Sequence, residues 1–266
     1  MVRRQAIRPG AGARRKAYWF TALREGTKSV MSLHIINAHN RNELLQALRG
    51  TDIRVPARTK GRTTHHVEKY TICHLLSALA MANEITFPLS VCQQDRPDVL
   101  MHACYSRIGV EITEAIPKQF ARLCALMGRK YPNYWLPAIH FPWNTPNLSA
   151  NDMCQLLQKH TVSCGGWVAD EPEREWSDFI LRVVDEKLKT LGNPDFEKYD
   201  RNWLSIYDNL PLPNVKIPQA VTKLRLLLEN RWCLDPAFDT LFVEHSFTVV
   251  KITPTTSNCL VVNNLW

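Results

Sequence analysis

Three acids interrupt stretches that otherwise read as buried structure. Asp98 follows Pro97 in DRPDVLMHA, Glu111 lies inside RIGVEITEA, and Glu68 sits in TTHHVEKYTICHLLSALAMA. A carboxylate is costly to bury unless something pairs with it. On adjacent strands, Asp98 and Glu111 can point to one spot, and a hard divalent cation suits such a pair. Mg²⁺ takes oxygen ligands, keeps several waters and is usually held by one or two protein carboxylates. A cation there would neutralise the acids, generate a hydroxide-like nucleophile and bind a scissile phosphate. The expected metal ligands are Glu68, Asp98 and Glu111, with Glu68 acting directly or through water and Mg²⁺ or Mn²⁺ as the ion. Each acid also has an ordinary reading: a turn cap after Pro97 for Asp98, the wet face of a strand for Glu111, and a favourable helix start for Glu68.

The elements that must position these groups follow from periodicity. Residues 63–82 open on threonines and stay apolar for four turns. Glu68, Ile72, Leu75, Leu79 and Ala82 recur at spacings of three and four, so they share one helix face, with Glu68 at its start. EITFPLSVCQQ and DVLMHA read as strands, and RIGVEITEA as a third with clean alternation. Ile108, Val110 and Ile112 face the core; Gly109, Glu111 and Thr113 face away from it. Pro117 opens a helix that runs to about Met127. An irregular insertion rich in proline and aromatic residues follows at about 130–170. Beyond it come a helix over 175–191 with Phe179, Val183, Val184 and Leu188 as its apolar stripe, a strand from Asn202 that stops at a proline turn, and a helix over 217–230. Strands follow over 238–245 and 247–254, with a last short one in LVVNNLW. A short helix over 40–50 precedes them all. Helix, three strands, helix, strand, helix is the order of an α/β layered domain.

This arrangement resembles the PD-(D/E)XK nuclease superfamily, the restriction-endonuclease-like fold. The matching motif is Pro97-Asp98, a gap, then Glu111-Ile112-Thr113, and the likeness is strongest over residues 63–128. It implies an αβββαβ core with a mixed central sheet flanked by helices, and metal-dependent hydrolysis of phosphodiester bonds in nucleic acid, DNA ahead of RNA. It also implies catalytic roles for Asp98, Glu111, Thr113 and Lys118. One position departs from the pattern. The superfamily's lysine, two residues after the second acid, is Thr113 here, which supplies no positive charge. Lys118, five residues further on, is the expected substitute. The same departure supports an alternative, a catalytically degenerate fold that binds nucleic acid or a protein.

Bulk properties narrow the setting. The chain has 266 residues and a net charge of +8. Residues 1–30 hold eight Arg or Lys against one Glu, so the basic excess lies mostly in that arm, which reads as disordered. Residues 31–266 read as a single nuclease-like domain. The loop ahead of the Glu68 helix carries Arg58, Lys60 and Arg62, suited to phosphate contacts that position a backbone without reading bases. The expected partners are nucleic acid and a second copy of the chain as a homodimer, with no membrane, since no apolar run approaches the roughly 20 residues that cross a bilayer. Eight cysteines without a C-x-x-C pair read as reduced thiols, and the first residues lack the apolar core of a secretory signal, so a cytoplasmic protein is expected. His65 and His66 point about 100° apart on a helix, which suits cap or surface roles better than one metal. Neither a P-loop nor a G-x-S-x-G elbow is present.

Overall fold

Strands β1 (Leu33–Ala38), β2 (Leu89–Gln93), β3 (Val99–Ala103), β4 (Ser106–Ala115), β5 (Arg201–Asp208), β6 (Thr240–His245), β7 (Thr248–Ile252) and β8 (Ser257–Val261) lie side by side in chain order in one sheet. They come from a computed structural model whose described residues are 33–130, 147–158 and 167–266. The expected 1–30 arm and most of the expected insertion lie outside these residues. Neighbouring strands are antiparallel except at the centre, where β4, β5 and β6 run parallel. Parallel neighbours need crossovers. The described helices α3 (Lys118–Lys130), α4 (Ala150–Gln158) and α5 (Glu171–Leu191) lie on the path from β4 to β5, and α6 (Ile217–Leu228) on the path from β5 to β6. Helices α1 (Arg41–Gly50) and α2 (Thr64–Met81) precede β2. The α/β class, with a mixed sheet flanked by helices, agrees with the sequence reading.

Each face of the sheet has its own core. On one, Ile72, Leu75 and Leu79 of α2 join a cluster with Val99, Val110, Trp203 and Phe242. On the other, Trp176, Ile180 and Val184 of α5 and Leu224 of α6 join Leu204, Ile206, Leu241 and Val243. Strands covered on both faces bury continuous runs rather than alternate positions. Ile108 to Ile112 of β4 are buried without a break, as are Thr240 to Glu244 of β6. This corrects the expected non-core face of β4: the side that carries Glu111 is roofed by α5, and Glu111 is buried. Helix α2 is buried at every residue from Thr71 to Ala80, as expected of a helix apolar all round.

Three elements differ from the sequence reading. β1 extends the meander at its outer edge, where it pairs with β2 across an irregularity between His34 and Ile36; its six residues carry no turn signal to mark them. Helix α4 arises in the expected insertion, where Met153 and Leu157 pack on Leu123 and Met127 of α3. β8 begins at Ser257 and ends at Val261, ahead of the expected stretch. The terminal Trp266 leaves the sheet, and its indole N–H donates to the carbonyls of Leu48 and Thr51 at the end of α1. Among the described residues no helix is long and apolar enough to cross a membrane, and no cysteine forms a disulfide.

Candidate functional site

The β3–β4 hairpin sets the first geometry. Val99 lies opposite Val110, so one further step in the same register puts Asp98 opposite Glu111. Cross-strand neighbours share a face, and here that face meets α5. Lys187, on the last turns of α5, reaches down between the two acids. Its Nζ is 2.8 Å from Glu111 Oε2 and 3.8 Å from Asp98 Oδ2. Asp98 Oδ2 also accepts the Ile112 backbone N–H at 2.6 Å. The Asp98 and Glu111 side chains are only 18% and 6% exposed.

Two carboxylates therefore share one ammonium in a poorly hydrated place. Burial, reinforced by the charge of Glu111, pushes the Asp98 carboxyl up to about 7. Lys187 and the Ile112 N–H pull the other way without cancelling the rise, and Glu68 adds to it. Burial disfavours the charged form of an acid, and a like charge nearby does the same. By contrast, the buried Glu244 pairs one to one with His74 at 2.7 Å across the other face.

Glu68 approaches from α2. Its Oε2 accepts from Gln93 Nε2 at 2.7 Å and lies 3.0 Å from His65 Nδ1. Its charge bears on Asp98, but its carboxylate is turned toward Gln93 and His65. Among the described residues no group of three or more His, Cys, Asp or Glu side chains is arranged to hold a metal ion. What is brought together is the pair Asp98 and Glu111, with Glu68 as an electrostatic neighbour. His66 Nδ1 accepts the Thr63 N–H at 3.1 Å, a helix-start role as expected.

Beside the pair opens a cleft of about 590 Å³, with Thr113, Lys118, Gln119, Glu186 and Lys187 in its walls. Thr113 follows Glu111 by two residues on the same strand and so shares its face. Lys118 is exposed at the start of α3 and lines the same cleft. The lysine that pairs with both acids is Lys187, which the sequence reading missed. A signal for it exists: Phe179, Val183 and Lys187 are spaced by four, so a lysine continues the apolar stripe of α5. Gly109 supports the arrangement from beneath. A Cβ there would lie 2.6 Å from Tyr199 Cδ2 and 3.3 Å from Pro97 Cγ, so only glycine lets the β4 backbone come this close to the residue ahead of Asp98.

The basic loop lies elsewhere. Arg58 Nη2 sits 2.8 Å from both oxygens of Glu114, Arg62 Nη2 is 3.3 Å from Oε2, and Asn209 Nδ2 is 2.7 Å from Oε1. Arg58 and Arg62 are thus held on the α2 side of β4, and Lys60 stays exposed. No protein-family model, curated protein or solved structure matches this chain.

Proposed function

We propose that the protein is a metal-dependent nuclease with a restriction-endonuclease-like core, hydrolysing phosphodiester bonds in nucleic acid, DNA ahead of RNA. The observation that carries this reading is the buried Asp98–Glu111 pair served by a single lysine. The order α2, β2, β3, β4, α3, β5, with β5 parallel to β4, supports the αβββαβ assignment. The donor set fits a hard divalent cation: two carboxylates, negative charge in excess, and an adjoining cleft with room for water and phosphate. Asp98 and Glu111 would hold Mg²⁺ or Mn²⁺, which when bound supplies charge neutralisation at the phosphate and a more acidic water.

The chain's own groups do the rest. The Ile112 N–H fixes the Asp98 carboxylate. The Gln93 amide fixes Glu68, whose charge keeps the region negative. Lys187 lines the cleft as well as contacting both acids, so its N–H donors lie where a phosphate oxygen carrying developing charge would sit. That is the positive charge Thr113 lacks, delivered from a helix. A second reading, a degenerate fold that binds without cleaving, draws support from the fact that Lys187 already contacts both acids.

One assay decides between them. Plasmid DNA, labelled single- and double-stranded DNA and RNA are incubated with wild type and with Asp98→Asn, Glu111→Gln and Lys187→Met, in Mg²⁺, Mn²⁺ or EDTA. Wild type is expected to cleave at least one substrate in a metal-dependent manner, and each variant to lose about 10²–10³-fold. Absence of cleavage by wild type under every condition leaves the binding protein.

A further inference from the structure

Glu114 forms one wall of a second recess, of about 400 Å³, that also has Arg58, Arg62 and Arg122 in its walls. Thr64, the first residue of α2, lies beside them. Two guanidiniums contact one carboxylate here, and a third lines the same recess. Arg58 spends a single nitrogen, Nη2, on both Glu114 oxygens, and Arg62 contributes one long contact at 3.3 Å. The planar guanidinium donates through five N–H groups, matches carboxylate and phosphate alike, and is the side chain best suited to binding either. The remaining Arg58 and Arg62 nitrogens are not committed to Glu114, and Arg122 is exposed. Glu114 also lines the cleft that holds Lys118 and Lys187, so the two recesses share this one residue at the end of β4.

We infer that Arg58, Arg62 and Arg122 form a phosphate-binding pocket in which the Glu114 carboxylate occupies the anion position until a ligand phosphate displaces it. The ligand is the sugar–phosphate backbone of a nucleic-acid strand, running from this pocket past Glu114 into the cleft beside Asp98 and Glu111. The strand as the source of the phosphate rests on the nuclease reading, whereas the anion pocket itself does not. The pocket would bind backbone without reading sequence, as phosphate contacts do.

Binding of a fluorescent oligonucleotide, read by anisotropy in EDTA over a range of salt, tests this without cleavage. Glu114→Gln removes the competing carboxylate and is expected to tighten binding about three- to tenfold. Arg122→Gln, an exposed change, is expected to weaken it several-fold and to lower the slope of log K against log salt by about one. The double variant Arg58→Gln/Glu114→Gln removes a cation and its partner together, leaving no unpaired acid, and is expected to lose the gain of Glu114→Gln. Circular dichroism confirms that each variant is folded. Affinities and salt slopes that match wild type in all three folded variants overturn the pocket. Inorganic phosphate is the competing probe: if it displaces the oligonucleotide at concentrations equal to the total phosphate the strand presents, the strand assignment falls. Binding that follows the expected pattern in a protein that cleaves nothing in Mg²⁺ or Mn²⁺ refutes the nuclease reading and keeps the pocket. Metal-dependent cleavage with no effect of the arginine variants on binding does the reverse.

Discussion

Glu111 and Glu114 stand three residues apart on one strand and look out from its two faces into opposite electrical surroundings. Glu111 shares one lysine with a second buried acid. Glu114 has two arginines and an asparagine to itself, with a third arginine in the same recess. One face is short of positive charge, the other has it in excess. A site short of positive charge attracts a cation or a proton; a site with an excess attracts an anion. The difference teaches that strand alternation, by sending nearby acids to opposite faces, can build two sites of opposite appetite within about 10 Å of backbone.

The strongest way to break the comparison is to remove the cation from the Glu111 side. Lys187→Met leaves two buried carboxylates facing each other and is expected to cost about 3–5 kcal/mol at pH 8, the range for stripping one partner from a buried ion pair. Urea denaturation reads it, and a loss under about 0.5 kcal/mol would show that Lys187 does not neutralise the pair. A somewhat smaller effect belongs to pH. Because the folded-state Asp98 carboxyl is raised to about 7 from an ordinary value near 4, the folded chain holds a proton that the unfolded chain has released. Stability from this group is therefore present at low pH and is lost as pH climbs from about 4 through 7, by about 2–4 kcal/mol. Asp98→Asn should flatten that descent, and an unchanged pH profile would contradict the crowding of the two acids.

Smaller again is the response to a divalent cation. Mg²⁺ at ten to thirty times its dissociation constant should stabilise wild type by about 1–2 kcal/mol, a rise of a few degrees in Tm. The rise should vanish in Asp98→Asn and survive in Glu114→Gln, and calorimetry distinguishes these. The smallest effect is on the other face. Glu114→Gln leaves cations that reach solvent, with the Arg58 side chain 29% exposed, so its cost should stay within about 1 kcal/mol. A loss of 3 kcal/mol there would erase the contrast between the faces.

Much of the scaffold was legible because its signals are local. The long apolar run of α2, the alternation of β4 and the stripe of α5 each lie within about 20 residues, and the short β3–β4 connection fixes Asp98 opposite Glu111 by register. What escaped depends on distance along the chain. Lys187 bonds an acid 76 positions away, and Arg58 reaches Glu114 across 56; no local pattern couples such pairs. Lys118 was the nearer lysine in sequence, yet it opens α3 at the cleft wall while α5 crosses over the acids. Burial of Glu111 was missed for a related reason. Alternation marks which side of a strand a residue takes, but whether a second helix covers that side is decided by the crossover that brings α5 back over β4.

That crossover also imposes an order of events on a newly made chain. Translation proceeds at about 5–20 residues per second, so the hairpin bearing both acids leaves the ribosome some seconds before the lysine that will sit between them exists. During that interval Lys187 cannot quieten the repulsion, and α5 must later bring its side chain to a hairpin already made. A product ending before α5 would keep the hairpin's sequence and forfeit its built-in counter-charge.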